Sequence, residues 1–323
     1  MTAGTSRKVV ATTGGSSLRG LERTRRRWWI VFLIPAITIY VGFMALPLIN
    51  SMGLSLYTGT GLTPERFVGL DNYVELFTNP WYRDRFLNAL GNTFIFFGIH
   101  ILVQNTLGLL FALLLAKPFR GRNFYRTIIF VPATLSVLVT GFLWTLILNP
   151  RWGALNALLE NVGLEALARP WLGDPDLVLP AISLVSSWQW VGLPTMLFLA
   201  GLLSISDDLL EAAAIDGAGA WRTFRSIQLP LLKPVIGIVT VLTFVGNFNA
   251  FDVVFAMAGA RGEPDYQADL LGTFFYRTAI AGEHPVARPE MGIGAAVATV
   301  TFLILFAGVS MWLFYSRRGE GKG

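Results

Sequence analysis

The chain has 323 residues, of which 54% are hydrophobic and only 14% charged, with a net charge of +5 and no cysteine. Soluble domains carry about 25% charged residues, so this composition excludes an ordinary water-soluble domain. Without cysteine there is no disulfide, no thiol nucleophile and no cysteine-ligated metal.

Taken in chain order, residues 1–27 are polar and rich in Ser, Thr and Gly, and end in the basic run Arg23–Arg27. They predict a disordered basic tail anchoring the span that follows at a membrane surface. The tail is too long, and the apolar run after it too extended, for a cleavable signal peptide. Six apolar runs follow, at about 28–50, 88–115, 125–148, 178–204, 234–258 and 291–315. Each is long enough to cross a hydrocarbon layer of roughly 30 Å. Unbroken runs of this length in lipid are helices, because the backbone must satisfy its own hydrogen bonds. The reading is an all-α integral membrane protein with six transmembrane helices.

Residues 51–87 are an external loop after the first span, with "VGLDNYVELFTNPWYRDRF" predicted as an interfacial helix. Residues 88–315 form the core domain. Within it Leu155, Leu158 and Leu159 share one face of a short amphipathic helix, and residues 316–323 are a second tail. Of the 25 Lys and Arg, 17 fall in the tails and the even-numbered loops and 8 in the odd-numbered loops. The positive-inside rule then places both termini in the cytoplasm. The positive charge is thus a topology signal, not a nucleic-acid footprint. Small residues four apart, such as Gly108 with Ala112 and Gly292 with Ala296, predict close helix packing.

Residues 206–230 are polar and alanine-rich in an otherwise greasy chain. Ser206 is a good N-cap, with Asp207, Asp208 and Glu211 near the positive helix end. "LLEAAAID" is strong helix former, and Gly217 can end it in a left-handed conformation. "AWRTFRSIQ" predicts a second short helix, stopped by Pro230 and Pro234. By its residues alone this helix–turn–helix is either a docking surface for another protein or a loop packed on its own bundle.

Its spacing resembles the EAA loop of ABC-importer permeases: Glu211-Ala212-Ala213, then Gly217, then Ile227-Gln228-Leu229-Pro230. The surrounding "IDGA", with Asp216, and "LPLLKP" are similar to the carbohydrate-uptake branch that handles maltose, glycerol-3-phosphate and related solutes. The likeness runs over residues 28–318 and includes Asn92-Thr93, "FDVVFAMAGA" and "MGIGAAVA". It departs where Arg261-Gly262-Glu263-Pro264 replaces a frequent Gly-Gly-Pro, and it lacks a large external insertion. The resemblance implies the type I ABC importer permease fold, and a coupling helix at 211–217 that docks in a cytoplasmic ATPase dimer. It further implies a second permease subunit, forming a heterodimer, and an external solute-binding protein. The chain lacks a Gly-x-x-x-x-Gly-Lys-Ser/Thr loop, so it binds no cofactor, and ATP and Mg belong to the ATPase.

For the substrate path, ionisable groups within membrane segments are candidates by default. Asn247, Asn249 and Asp252 offer hydrogen-bond partners with Phe251 among them, and Asn249 and Asp252 share a helical face. Trp188, Gln189 and Trp190 form a second cluster. Hydroxyl-directed polar groups beside aromatic faces suit a carbohydrate. The plainer alternatives are interface or packing roles for the tryptophans, a helix cap or subunit contact for Asp252, and interhelical bonds for Asn92, Gln104 and Asn105. His100 is a satisfied bundle histidine or a proton carrier. An ion-coupled secondary transporter would need His100 and Asp252 as its relay. A membrane-embedded enzyme or a metal site would need more than the two histidines, His100 and His284.

Overall fold

The computed structural model describes residues 32–59, 63–282 and 289–320, with side chains to 314. The basic tail 1–27, His284, Arg288 and residues 321–323 lie outside the described residues. The chain divides into two units, residues 1–53 and 54–323. The first contains helix α1 (Phe32–Leu54), which ends at the boundary and is widened by a π turn at Val41–Ala45. Its apolar side chains are exposed, Phe43 by 83%.

The second unit opens on a hairpin, β1 (Tyr57–Thr58) with β2 (Arg66–Phe67), then α2 (Asp71–Thr78). The long helix α3 (Pro80–Ala116) has 37 residues. That is about 55 Å, well beyond the roughly 30 Å of hydrocarbon. It starts where Asn79 accepts from the Trp81 N–H at 3.0 Å, with Pro80 in the first turn. The helix therefore includes residues 80–87, which the sequence reading put in the external loop.

The third and fourth spans are bent. Residues Arg122–Thr134, made of α4 (Arg122–Phe130) and a 3₁₀ turn, meet α5 (Val137–Ile147) at 97°. Helices α7 (Val178–Trp190) and α8 (Gly192–Leu203) meet at 47°. Four described helices are long and apolar enough to cross a membrane, or six if each bent pair is one span. The two breaks dock on each other. Buried Gln189 donates from Nε2 to the Leu135 carbonyl at 3.1 Å, an acceptor freed by the first bend. A Cβ on Gly192 would lie 2.8 Å from the Ile129 carbonyl oxygen and 2.9 Å from the Phe130 Cα. Between the two bent pairs, α6 (Ala154–Asn161) turns in Leu155 and Asn156 and leaves Leu158 exposed. Its Asn156 is fixed by the Trp171 indole N–H at 2.7 Å.

After α9 (Asp207–Ile215), helix α10 runs unbroken over Ala220–Phe248. The expectation that Pro230 and Pro234 stop a separate short helix is corrected here. A π turn at Phe224–Gln228 sends the Leu229 N–H to the Phe224 carbonyl. It widens the helix just where Pro230 can donate nothing and needs room for its ring. The fifth span also ends earlier than 258. Asn249 terminates α10, and α11 (Asp252–Ala258) begins after a break and packs on α5, where Gly141 meets Ala256. Asn249 and Asp252 thus straddle a break and do not share one helix face. Helices α12 (Leu271–Tyr276) and α13 (Met291–Glu320) complete the unit.

The loop between α11 and α12 is clasped to α3. Asn92 donates to the carbonyls of Tyr266, Gln267 and Asp269 at 3.3, 3.0 and 3.0 Å. The Thr93 hydroxyl accepts from the Leu271 N–H at 3.1 Å, and the Arg85 guanidinium lies 3.3 Å over the Tyr266 ring. Asp269, fully buried, is held by Arg277 through two bonds of 2.8 and 2.6 Å. Burial pushes the Asp269 carboxyl above its ordinary range, against the opposing pull of Arg277 and Thr273. The small residues of α13 serve the same end: a Cβ on Gly292 would strike the Tyr57 carbonyl and the Asn72 amide.

Two outcomes follow from these contacts. Gly192→Ala puts a methyl against backbone that cannot yield, so detergent unfolding should show a loss of about 1–3 kcal/mol. Gly98→Ala, where a Cβ meets nothing within 4 Å, should show none. Arg277→Met leaves a buried carboxylate unpaired and should cost about 3–5 kcal/mol, most of it regained in Arg277→Met with Asp269→Leu.

Candidate functional site

Within the second unit a cavity of about 320 Å³ opens among α3, α7, α8, α10 and α11. Its α3 wall is built by a third π turn, His100–Asn105, which turns His100, Gln104 and Asn105 inward. Asn105 is absorbed by packing, exchanging hydrogen bonds with Thr243 at 3.1–3.2 Å. His100 and Gln104 line the cavity, facing Ser186 and Trp190 at the end of α7. Asn247 of α10, and Asn249, Phe251 and Asp252 of the break, form the far wall.

The polar groups here are only partly satisfied. His100 lies against Phe96, with Nδ1 2.8 Å from the Phe96 carbonyl and Nε2 3.0 Å from the Ser186 hydroxyl. Asn247 is 7% exposed, and its Nδ2 has no hydrogen-bond partner. A buried amide donor left without a partner costs free energy. At the rim, Phe251, Phe255 and Tyr276 form an aromatic cluster with centroids 5.1–5.6 Å apart.

Of the substrate residues read from sequence, the structure brings together Trp190, Asn247, Asn249, Phe251 and Asp252. It does not bring in the other two. Trp188 is 44% exposed and packs edge-on against Trp144 at 5.4 Å. Gln189 holds the Leu135 carbonyl at the bend. Asp252 is the first residue of α11, after the cap position Phe251, and makes no side-chain capping bond, so it lines the cavity without capping the helix. His100 and Gln104 reach the cavity through a π turn that leaves no periodic signal, and Ser186 and Thr243 join them from α7 and α10 by packing alone.

The second element is α9. Ser206 caps it, accepting from the Asp208 N–H at 3.3 Å. Gly217, with φ +73°, closes it in a Schellman arrangement: the Ala218 N–H reaches the Ala213 carbonyl at 2.9 Å and the Gly217 N–H reaches that of Ala214 at 3.0 Å. Glu211, Ala212 and Asp216 are exposed, but Ala213 is 7% exposed and turned into its own chain. It cannot offer a surface to a docking partner. Ile227 and Leu229 are half-buried and Pro230 exposed. Two apolar residues stand outward instead, Ile215 at 87% and Trp221 at 69% exposure.

Residues 104–317 match the family described as binding-protein-dependent transport system inner membrane component. The chain belongs to this family. The "probable ABC transporter permease protein YurN" of Bacillus subtilis is 34% identical over 90% of this chain and 96% of its own length. The lactose transport system permease protein of Rhizobium radiobacter is 32% identical over 96% and 99%. The trehalose/maltose transport system permease protein of Thermococcus litoralis is 30% identical over 89% and 92%. The fold is similar to that of a bacterial ABC transporter involved in import of the acidic polysaccharide alginate, with a TM-score of 0.77 at 23% identity, covering 93% of this chain and 99% of that one. The protein is a multi-pass inner-membrane ABC permease, and the ion-coupled and enzymatic readings are set aside.

The open amide makes the cavity's purpose measurable in this permease. Asn247→Leu removes an unpartnered buried donor, so thermal stability should hold or rise by up to about 1 kcal/mol while uptake falls. Loss of both stability and uptake would show that Asn247 serves the fold.

Proposed function

We propose that this permease forms half of the pathway of an ATP-driven importer for a neutral sugar or related polyol. The observation behind the solute class is the cavity, where an open amide, a carboxylate and hydroxyls stand beside the Trp190 and Phe251 rings. A sugar presents donors and acceptors on its rim and C–H faces to aromatic rings, and such a lining meets both. The permease relatives whose names mention lactose, trehalose and maltose support the same class.

In this reading both termini are cytoplasmic, as the Lys and Arg distribution requires. A second permease subunit completes the pathway, and an external binding protein delivers the solute. The family description, binding-protein-dependent transport, supports the last of these. ATP and Mg are bound by a separate ATPase dimer, which α9 touches. Glu211, Ala212 and Ile215 on α9, and Trp221 just after its turn, stand exposed, apolar side chains beside an acidic one. A loop helix without a partner would turn such residues inward, which favours docking over self-packing.

The test uses the assembled transporter in proteoliposomes. Glu211→Ala should weaken, and Gly217→Pro abolish, the coupling of ATP hydrolysis to uptake, while insertion of the chain is unchanged. Proline cannot adopt the φ of +73° at position 217. Native uptake in both variants would remove α9 from the coupling path. Asp252→Asn should lower uptake with ATPase coupling preserved.

A further inference from the structure

Buried His100 has no role in the proposed function beyond lining the cavity, yet it is 1% exposed and both ring nitrogens are engaged. A carbonyl can only accept, so the contact with the Phe96 oxygen requires the proton on Nδ1. In the neutral ring Nε2 is then an acceptor, and the bond to Ser186 must run from the serine hydroxyl to the ring. That spends the only proton Ser186 has. Its oxygen is left with lone pairs alone at the cavity wall, 5% exposed and able to accept but not to donate.

We infer that His100 and Ser186 form a polarity-setting pair, in which the ring makes the serine an obligate acceptor that reads one solute hydroxyl as a donor. An ether, ester or fluorinated position facing Ser186 has no proton to give and is rejected. His100 is a positioning residue, and Ser186 a specificity-determining one. This inference rests on the sugar reading above.

The experiment uses the assembled transporter in proteoliposomes with labelled maltose, trehalose, lactose and xylose. Monodeoxyfluoro derivatives of each imported sugar are then compared with the parent. Fluorine keeps the size of the hydroxyl and loses its proton. One derivative should be imported about tenfold less well than its parent, the worth of one buried hydrogen bond. In Ser186→Ala that ratio should approach one. In His100→Leu, which frees the serine proton, it should fall likewise, and His100→Gln should restore it because the amide oxygen can accept in place of Nε2. The binding protein's own preference cancels between variants. A purely structural role would lower uptake of parent and derivative alike with the ratio unchanged, and that result overturns the pair while leaving the sugar reading standing. Import of no sugar or polyol by the native transporter would remove that reading and this inference with it. Independently, the nitrogen-15 spectrum of histidine-labelled complex, assigned with His100→Gln, should show the Nδ1–H tautomer. An Nε2–H tautomer would overturn the proposal.

Discussion

The constraint on which the structure turns is that lipid offers no hydrogen bonds. Any backbone group released from a helix inside the bilayer must find its partner in protein or in an enclosed cavity. This chain releases several. It bends at Leu135–Ser136 and at Val191, stops α10 at Asn249, and widens α3 with the π turn at His100–Asn105. Two of them are met by side chains: Gln189 takes the Leu135 carbonyl, and Asn249 donates to that of Val245 at 2.8 Å.

All four irregularities touch one space. Val137 follows the first bend, Trp190 and Leu193 flank the second, Asn249 to Asp252 span the gap in the fifth span, and His100 and Gln104 come from the π turn. An unbroken helix bundle would present mainly apolar side chains to its centre. Breaking the helices brings polar side chains to the same depth, and the cavity is where they meet. The polar lining of the cavity and the departures from regular structure therefore have one cause.

The two ends of the second unit are treated differently. One end is rigidly clasped: Asn92 and Thr93 hold the loop before α12, Arg277 pairs with Asp269, and Gly292 lets the hairpin approach α13. The other end leaves α9 standing out with Ile215 and Trp221 exposed, joined to α10 by the Schellman turn at Gly217. Because α10 passes through both prolines without a break, α9 is joined by one short turn to the helix that ends at the cavity wall.

Composition and run length sufficed for the membrane class, since hydrocarbon thickness sets a span length that any scan of apolar residues can read. The Ser206 cap, the Gly217 turn and the EAA spacing were equally legible, because local backbone chemistry depends on neighbours in sequence. Family membership followed from those same spacings. Three-dimensional packing alone decided that Ala213 faces inward while Ile215 faces out, that Trp188 and Gln189 leave the cavity to His100, Gln104 and Ser186, and that Asn249 and Asp252 sit on two helices. Those outcomes depend on π turns and bends whose cost is met by residues far away in the chain, such as Gln189 for Leu135 and Thr243 for Asn105. No window of neighbouring residues contains that information.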